Sequence, residues 1–107
     1  MGTILVISSF PDAESAGKMA AALVEARLAA CVNILQPCRS IYRWQGKTEV
    51  AQEVPLLIKT TVSCYARVEA AIRQGHPYEL PEIIAVPVTA GFPAYLDWVV
   101  AETEKSQ

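Results

Sequence analysis

Residues 31–61 read CVNILQPCRSIYRWQGKTEVAQEVPLLIKTT. Around Gln45-Gly46-Lys47 the stretch folds back on itself. Cys31 to Trp44 forms one long apolar and aromatic arm, and Thr48 to Thr61 returns as the other, so the sequence predicts a β-hairpin. Proline cannot donate to a strand ladder, which makes the first arm an edge strand with a bulge near Pro37. Pro55 interrupts the apolar centre of the return arm, Val54-Pro55-Leu56-Leu57-Ile58, and marks an edge or bulge position there by the same argument.

The flanks complete the pattern. Thr3 to Phe10 is apolar, rich in β-branched residues and stopped by Pro11-Asp12, which is the signature of a buried strand. Asp12 is a suitable N-cap and Glu14 complements the helix dipole. From Ala13 to about Ala29, the residues Ala16, Met19, Ala20, Leu23 and Ala26 recur at helical spacing. After the hairpin, Ser63 caps a second helix from about Cys64 to Gln74, with Tyr65, Val68, Ala71 and Ile72 on its buried face and Gly75 as a left-handed terminator. Glu82 to Val88 is a short apolar strand, and Gly91-Phe92-Pro93 opens a last helix running to about Glu104. The order βαββαβ plus a C-terminal helix predicts a single α+β domain over residues 1–107. Right-handed crossovers put both inner helices on one face of a four-stranded antiparallel sheet, the ferredoxin-like arrangement. Its long hairpin between the second and third strands projects beyond the sheet, carrying Ile41, Tyr42 and Trp44 beside unpaired backbone. Such an edge is an aggregation hazard that a closed homo-oligomer covers.

Composition narrows the function classes. The chain is 52% hydrophobic and 19% charged, which excludes a disordered segment and leaves apolar surface to bury between subunits. Net charge is −2 with scattered basic residues, so the electrostatic footprint of a nucleic-acid binder is missing. No apolar run approaches the roughly 18 residues of a membrane span. The N-terminus reads as a first strand rather than a signal peptide. An odd number of cysteines, Cys31, Cys38 and Cys64, with no C-x-x-C spacing, argues against a disulfide framework or a zinc site within one chain and fits a reducing cytoplasm.

Chemistry is densest in His76-Pro77-Tyr78-Glu79-Leu80-Pro81-Glu82. Two prolines stiffen this loop, so its polar groups lose less entropy on meeting a ligand. His76 is the strongest metal candidate: imidazole suits copper and zinc, and Glu79 and Glu82 offer harder ligands. Its other reading is a cap on the last carbonyls of the second helix. Cys31 is either a further soft ligand or a small buried residue, and a regular strand would turn Cys31 and Cys38 to opposite faces unless Pro37 marks a bulge. Glu53 and Lys59 share a face of the return strand. An inward lysine needs an acid, Glu53, Glu79 or Glu82, either as a structural ion pair or as a polar-ligand contact. Tyr42, Trp44 and Trp98 are core or interface aromatics, and with Tyr78 they can line an intersubunit cleft for a small ligand. Glu79 or Glu82 with His76 could move protons. However, G-x-S-x-G, P-loop, dinucleotide and H-E-x-x-H motifs are all lacking, and no enzyme is expected.

Several separated segments resemble the CutA, or divalent-cation tolerance, family. They are Ala30-Cys31-Val32-Asn33, Ser40-Ile41-Tyr42-Arg43-Trp44-Gln45-Gly46-Lys47, Glu53, Lys59-Thr60-Thr61, the loop His76 to Glu82, and Tyr95-Leu96-Asp97-Trp98. The resemblance spans nearly the whole chain. It implies a ferredoxin-like subunit in a tight homotrimer similar to the PII signalling proteins, with long hairpins reaching between subunits. It also implies a part in tolerance to copper and other divalent cations. Cys31 matches a cysteine proposed as a copper ligand in some bacterial members; Cys38 and Cys64 match no family motif.

Overall fold

The computed structural model describes residues 2–104. The elements run β1 (Thr3–Phe10), α1 (Ala13–Glu25), β2 (Cys31–Ile34), β3 (Cys38–Trp44), β4 (Lys47–Thr61), a 3-10 turn (Val62–Cys64), α2 (Tyr65–Gly75), β5 (Ile83–Pro87) and α3 (Pro93–Glu102). The fold is α+β. The antiparallel sheet is ordered β2-β4-β1-β5, and β3 pairs with the other half of β4. None of the helices in the described residues is long and apolar enough to cross a membrane.

The expected first arm divides into β2 and β3. Ile34 pairs with Leu56 and Cys38 with Glu53, so residues 35–37 face only residues 54 and 55. One extra residue on one strand is a β-bulge, and it contains Pro37. Pro55 lies opposite. Its carbonyl accepts from Leu35 N–H at 3.0 Å, and a strand residue points its N–H and C=O to the same side. The missing N–H of Pro55 therefore faces the bulge, which lets a proline stand in a strand paired on both edges.

Alternate residues of β4, namely Val54, Leu56 and Ile58, are buried with Ile4, Val6 and Phe10 of β1. They meet Ala16, Met19, Ala20 and Leu23 of α1 and Val68 and Ile72 of α2 in one core. At the turn, Gln45 (φ 52°) and Gly46 (φ 81°) both have positive φ, as a two-residue type I′ hairpin requires. Beyond the bulge the hairpin stands clear of the helices, with Ile41 65% and Val50 60% exposed. The radius of gyration is 14.3 Å, against about 13 Å for a compact chain of this length.

Three helix boundaries differ from expectation. The first helix stops at Glu25 because Arg27 adopts φ 61°. Leu28 N–H reaches Leu23 O at 2.9 Å and Arg27 N–H reaches Val24 O at 3.0 Å, the pair of bonds of a Schellman cap. An arginine replaces the usual glycine because distant contacts hold it. Its guanidinium donates to Ala101 O at 2.8 Å, and its carbonyl accepts from Glu104 N–H at 2.7 Å. Ser63 lies inside the 3-10 turn instead of capping α2, whose N-cap is Cys64 with no side-chain bond. Gly75 is the last helical residue, not a left-handed terminator, and only Gly46 among the glycines has positive φ. A Cβ on Gly75 would sit 2.7 Å from Met19 Cε, so the glycine makes room for the tip of Met19 where α2 meets α1.

Candidate functional site

The loop after α2 is anchored by its histidine. His76 is 8% exposed. Its Nε2–H donates to the Ser9 carbonyl at 2.7 Å, and its Nδ1 accepts from Tyr78 N–H at 3.1 Å. A carbonyl can only accept and an amide N–H can only donate, so these bonds select the neutral Nε2–H tautomer. The ring stacks on Phe10 at 4.3 Å and 29°, and Tyr78 tilts against it at 4.8 Å. The imidazole therefore neither reaches the carbonyls of α2 nor keeps a free lone pair for a metal.

The remaining metal candidates do not converge on it. Among the described residues, no three His, Cys, Asp or Glu side chains are grouped to hold an ion. Cys31 pairs with Lys59 on the sheet face away from α1 and α2. Lys59 Nζ lies 3.9 Å from its Sγ and donates to Asn33 Oδ1, so the lysine's partners are a thiol and an amide where an acid was expected. The Tyr95 hydroxyl of α3 is beside the same sulfur; burial first, then Cys31, raises the Tyr95 pKa above its usual 10.0. The bulge does turn Cys31 and Cys38 to one face. Their partners Lys59 and Glu53 are nevertheless six positions apart on β4, about 20 Å at the rise of a strand. Within one chain the residues present do not fit copper or another divalent cation.

What does assemble is a cleft between the hairpin and the anchored loop, with a volume of about 660 Å³. Tyr42 and Trp44 come from β3, Glu53 from β4, and Tyr78, Glu79 and Glu82 from the loop. Tyr42 and Trp44 share a face with Glu53 because of the bulge: Cys38 pairs with Glu53 and Tyr42 with Glu49. Tyr78 is tied to this wall. Its pKa is raised above 10.0 chiefly by burial, then by the Glu53 carboxylate beside its hydroxyl and by Tyr42. Three predicted cleft residues, Glu53, Tyr78 and Glu82, thus line one space. They are joined by Glu79, expected as a metal ligand, and by Tyr42 and Trp44, expected at an interface. Lys59 lies outside it. Trp98 is on α3, its ring tilted against Tyr95 at 5.6 Å. Ser9, Ser40, Ile41, Arg43, Pro77 and Leu80 also line the cleft, and of these Ser9 alone went unmarked in the sequence. The partnership of Ser9 with a histidine 67 positions away leaves no local signal.

An α+β subunit with an antiparallel sheet, a bulged projecting hairpin and a stiff acidic loop facing it defines a class of small sheet proteins. The chain belongs to one family within that class: the sequence model described as CutA1 divalent ion tolerance protein matches residues 4–102. It is 46% identical over 99 residues to the divalent-cation tolerance protein CutA of Thermus thermophilus, covering 92% of this chain and 96% of that protein. In structure it is similar to CutA from Xylella fastidiosa (TM-score 0.94, 44% identity, 97% of this chain and 100% of that one). It is likewise similar to CutA1 from Oryza sativa (TM-score 0.96, 34% identity, 99% and 97%).

Proposed function

We propose that this protein supports divalent-cation tolerance as a cytoplasmic homotrimer of ferredoxin-like, PII-like subunits, and that the hairpin–loop cleft is its ligand site. The family name supplies the cation context. The strand order β2-β4-β1-β5, with α1 and α2 on one face, supports the ferredoxin-like description. The observation that carries the cleft reading is the double engagement of His76. The loop is built to hold Tyr78 and its carboxylates against the hairpin, and its histidine is consumed in doing so. Trimerisation is supported by apolar surface left on the sheet face away from α1 and α2, including Ile84 and Val86 of β5 at 50% and 44% exposure, and by Trp98 of α3 at 42%. A cyclic assembly covers such surface and the hairpin edge together. The reading assigns no catalysis.

A second reading has one observation in its favour. Cys31 is partly exposed on the sheet face away from α1 and α2, where subunits would meet, so a copper ion could be shared between subunits through its sulfur. Native mass spectrometry of the reduced protein, equilibrated with limiting copper and zinc, separates the two. A trimer that stays metal-free supports the cleft as the site. A trimer carrying stoichiometric copper, lost on chelation and absent in Cys31→Ser, supports the shared-metal reading. A monomer overturns both.

A further inference from the structure

We propose that the cleft takes a linear organic polyamine, a flexible chain bearing two or more ammonium groups, and not a metal ion. The proposal rests on the cleft reading above and names its ligand class. Three observations lead to it. First, the cleft lining carries three carboxylates, Glu53, Glu79 and Glu82, against one cation, Arg43. The guanidinium of Arg43 is directed to the Gly46 carbonyl of its own turn at 3.5 Å. The lining is therefore net acidic, which selects cations by charge complementarity.

Second, the carboxylates are spread around the walls and not focused. Glu53 stands on β4 while Glu79 and Glu82 stand on the opposing loop, and no three acidic, histidine or cysteine side chains form a metal-holding group among the described residues. A point cation needs several oxygens within about 2.0–2.6 Å, and this arrangement does not offer them. A chain with charges a few bonds apart can meet separate carboxylates at once.

Third, the surfaces between the carboxylates are aromatic. Tyr42, Trp44 and Tyr78 are 42%, 36% and 36% exposed in the same cleft. Aromatic faces attract ammonium groups and pack against methylene stems. A volume of about 660 Å³ lies within the usual range of small-molecule pockets, about 300–1,000 Å³. Bound inorganic anions are disfavoured by the same charge, and an uncharged apolar chain would leave the three carboxylates without a partner.

The test is calorimetric titration of the full chain, in its native assembly, with spermidine. The comparison titrants are magnesium chloride and an uncharged diol of similar length. The expected result is saturable spermidine binding with a dissociation constant below about 1 mM, weakening as salt rises, with no response to the diol and no displacement by equimolar magnesium. Glu53→Gln and Glu79→Gln should each weaken binding about threefold to tenfold, with subunit number unchanged by native mass spectrometry. Glu79→Gln changes an exposed loop residue and so guards against a misfolded Glu53 variant. No saturable binding, equal binding of the diol, displacement by equimolar magnesium, or full affinity in both variants would each overturn the proposal. A trimer that binds no spermidine defeats this inference alone, whereas a monomer defeats the reading beneath it.

Discussion

Replacing His76 by alanine tests the anchoring of the loop most directly. The substitution strips a hydrogen bond from the Ser9 carbonyl, on a residue only 8% exposed, and another from Tyr78 N–H. A buried group left without its partner costs about 1–3 kcal/mol; the carbonyl falls in that range, and the partly buried amide sits at its low end because water can reach it. The imidazole also stacks on Phe10 at 4.3 Å, and an aromatic pair of this kind contributes about 0.5–1.5 kcal/mol. The expected loss is about 3 kcal/mol, read as a shift of the urea midpoint at unchanged slope and fixed protomer concentration. Nitrogen NMR of the wild-type ring should report a neutral imidazole protonated at Nε2. His76→Gln, which keeps one amide donor, should recover part of the loss. A cost below about 0.5 kcal/mol for His76→Ala, the usual size for an exposed residue, would refute the reasoning and return His76 to the solvent or to a metal.

Other perturbations follow from the same contacts. Ser8 Oγ is buried without a hydrogen-bond partner, so Ser8→Ala should be neutral or stabilising by up to about 1 kcal/mol in thermal or urea melts. Gly46 has φ 81° with open space around its Cα, so Gly46→Ala should cost about 1–2 kcal/mol through backbone strain alone, measured the same way. Tyr65, Tyr78 and Tyr95 are all held above the ordinary 10.0, in each case chiefly by burial. The folded state then keeps protons that the unfolded chain releases above pH 10. This stability is full below pH 10 and is lost as pH climbs through the folded values, a decline visible in alkaline urea titrations. Glu53→Gln should lower the Tyr78 midpoint toward 10.0 in a tyrosinate absorbance titration, and an unchanged midpoint would remove Glu53 as a cause. Trp44→Ala should loosen the proposed oligomer by about 2 kcal/mol or more; sedimentation at low micromolar concentration that finds full assembly would count against an interface role.

Much of the fold was legible because its signals are local. β-Branched runs mark β1 and β4, alanine-rich periodicity marks α1, and Pro37 announces the bulge that Pro55 completes from across the ladder. What escaped depends on residues far apart in sequence. Nothing near Arg27 tells that its left-handed conformation is held by Ala101 and Glu104. Gly75 carries the usual mark of a terminator, yet it serves the approach of Met19. Within the cleft, residue types drew attention to the loop and the hairpin that line it, since stiff loops and exposed aromatics are visible in composition. Their roles were not readable: whether His76 faces a metal, a helix end or Ser9 is decided by where β1 ends in space. Lys59 was misplaced for a related reason. Sharing a face with Glu53 is a matter of parity, but sharing a site also needs proximity, and six strand positions separate them.

The bulge at residues 35–37 works as a phase shifter for the hairpin. Upstream of it, odd-numbered residues of β2 share the side of Lys59; downstream, even-numbered residues of β3 take that side, placing Tyr42 and Trp44 there and Arg39, Ile41 and Arg43 on the other. Removing the single residue Gln36 would set residue 35 opposite 55 and 37 opposite 54, a continuous ladder in which Cys38 still faces Glu53 and both sets keep their sides. Flattening the bulge with all its residues kept would instead slide β3 by one pairing position, and Tyr42 and Trp44 would turn away from the side of Glu53. One inserted backbone position thus decides which side of the hairpin the aromatic residues of β3 share with β4, a choice that no point substitution among them could make.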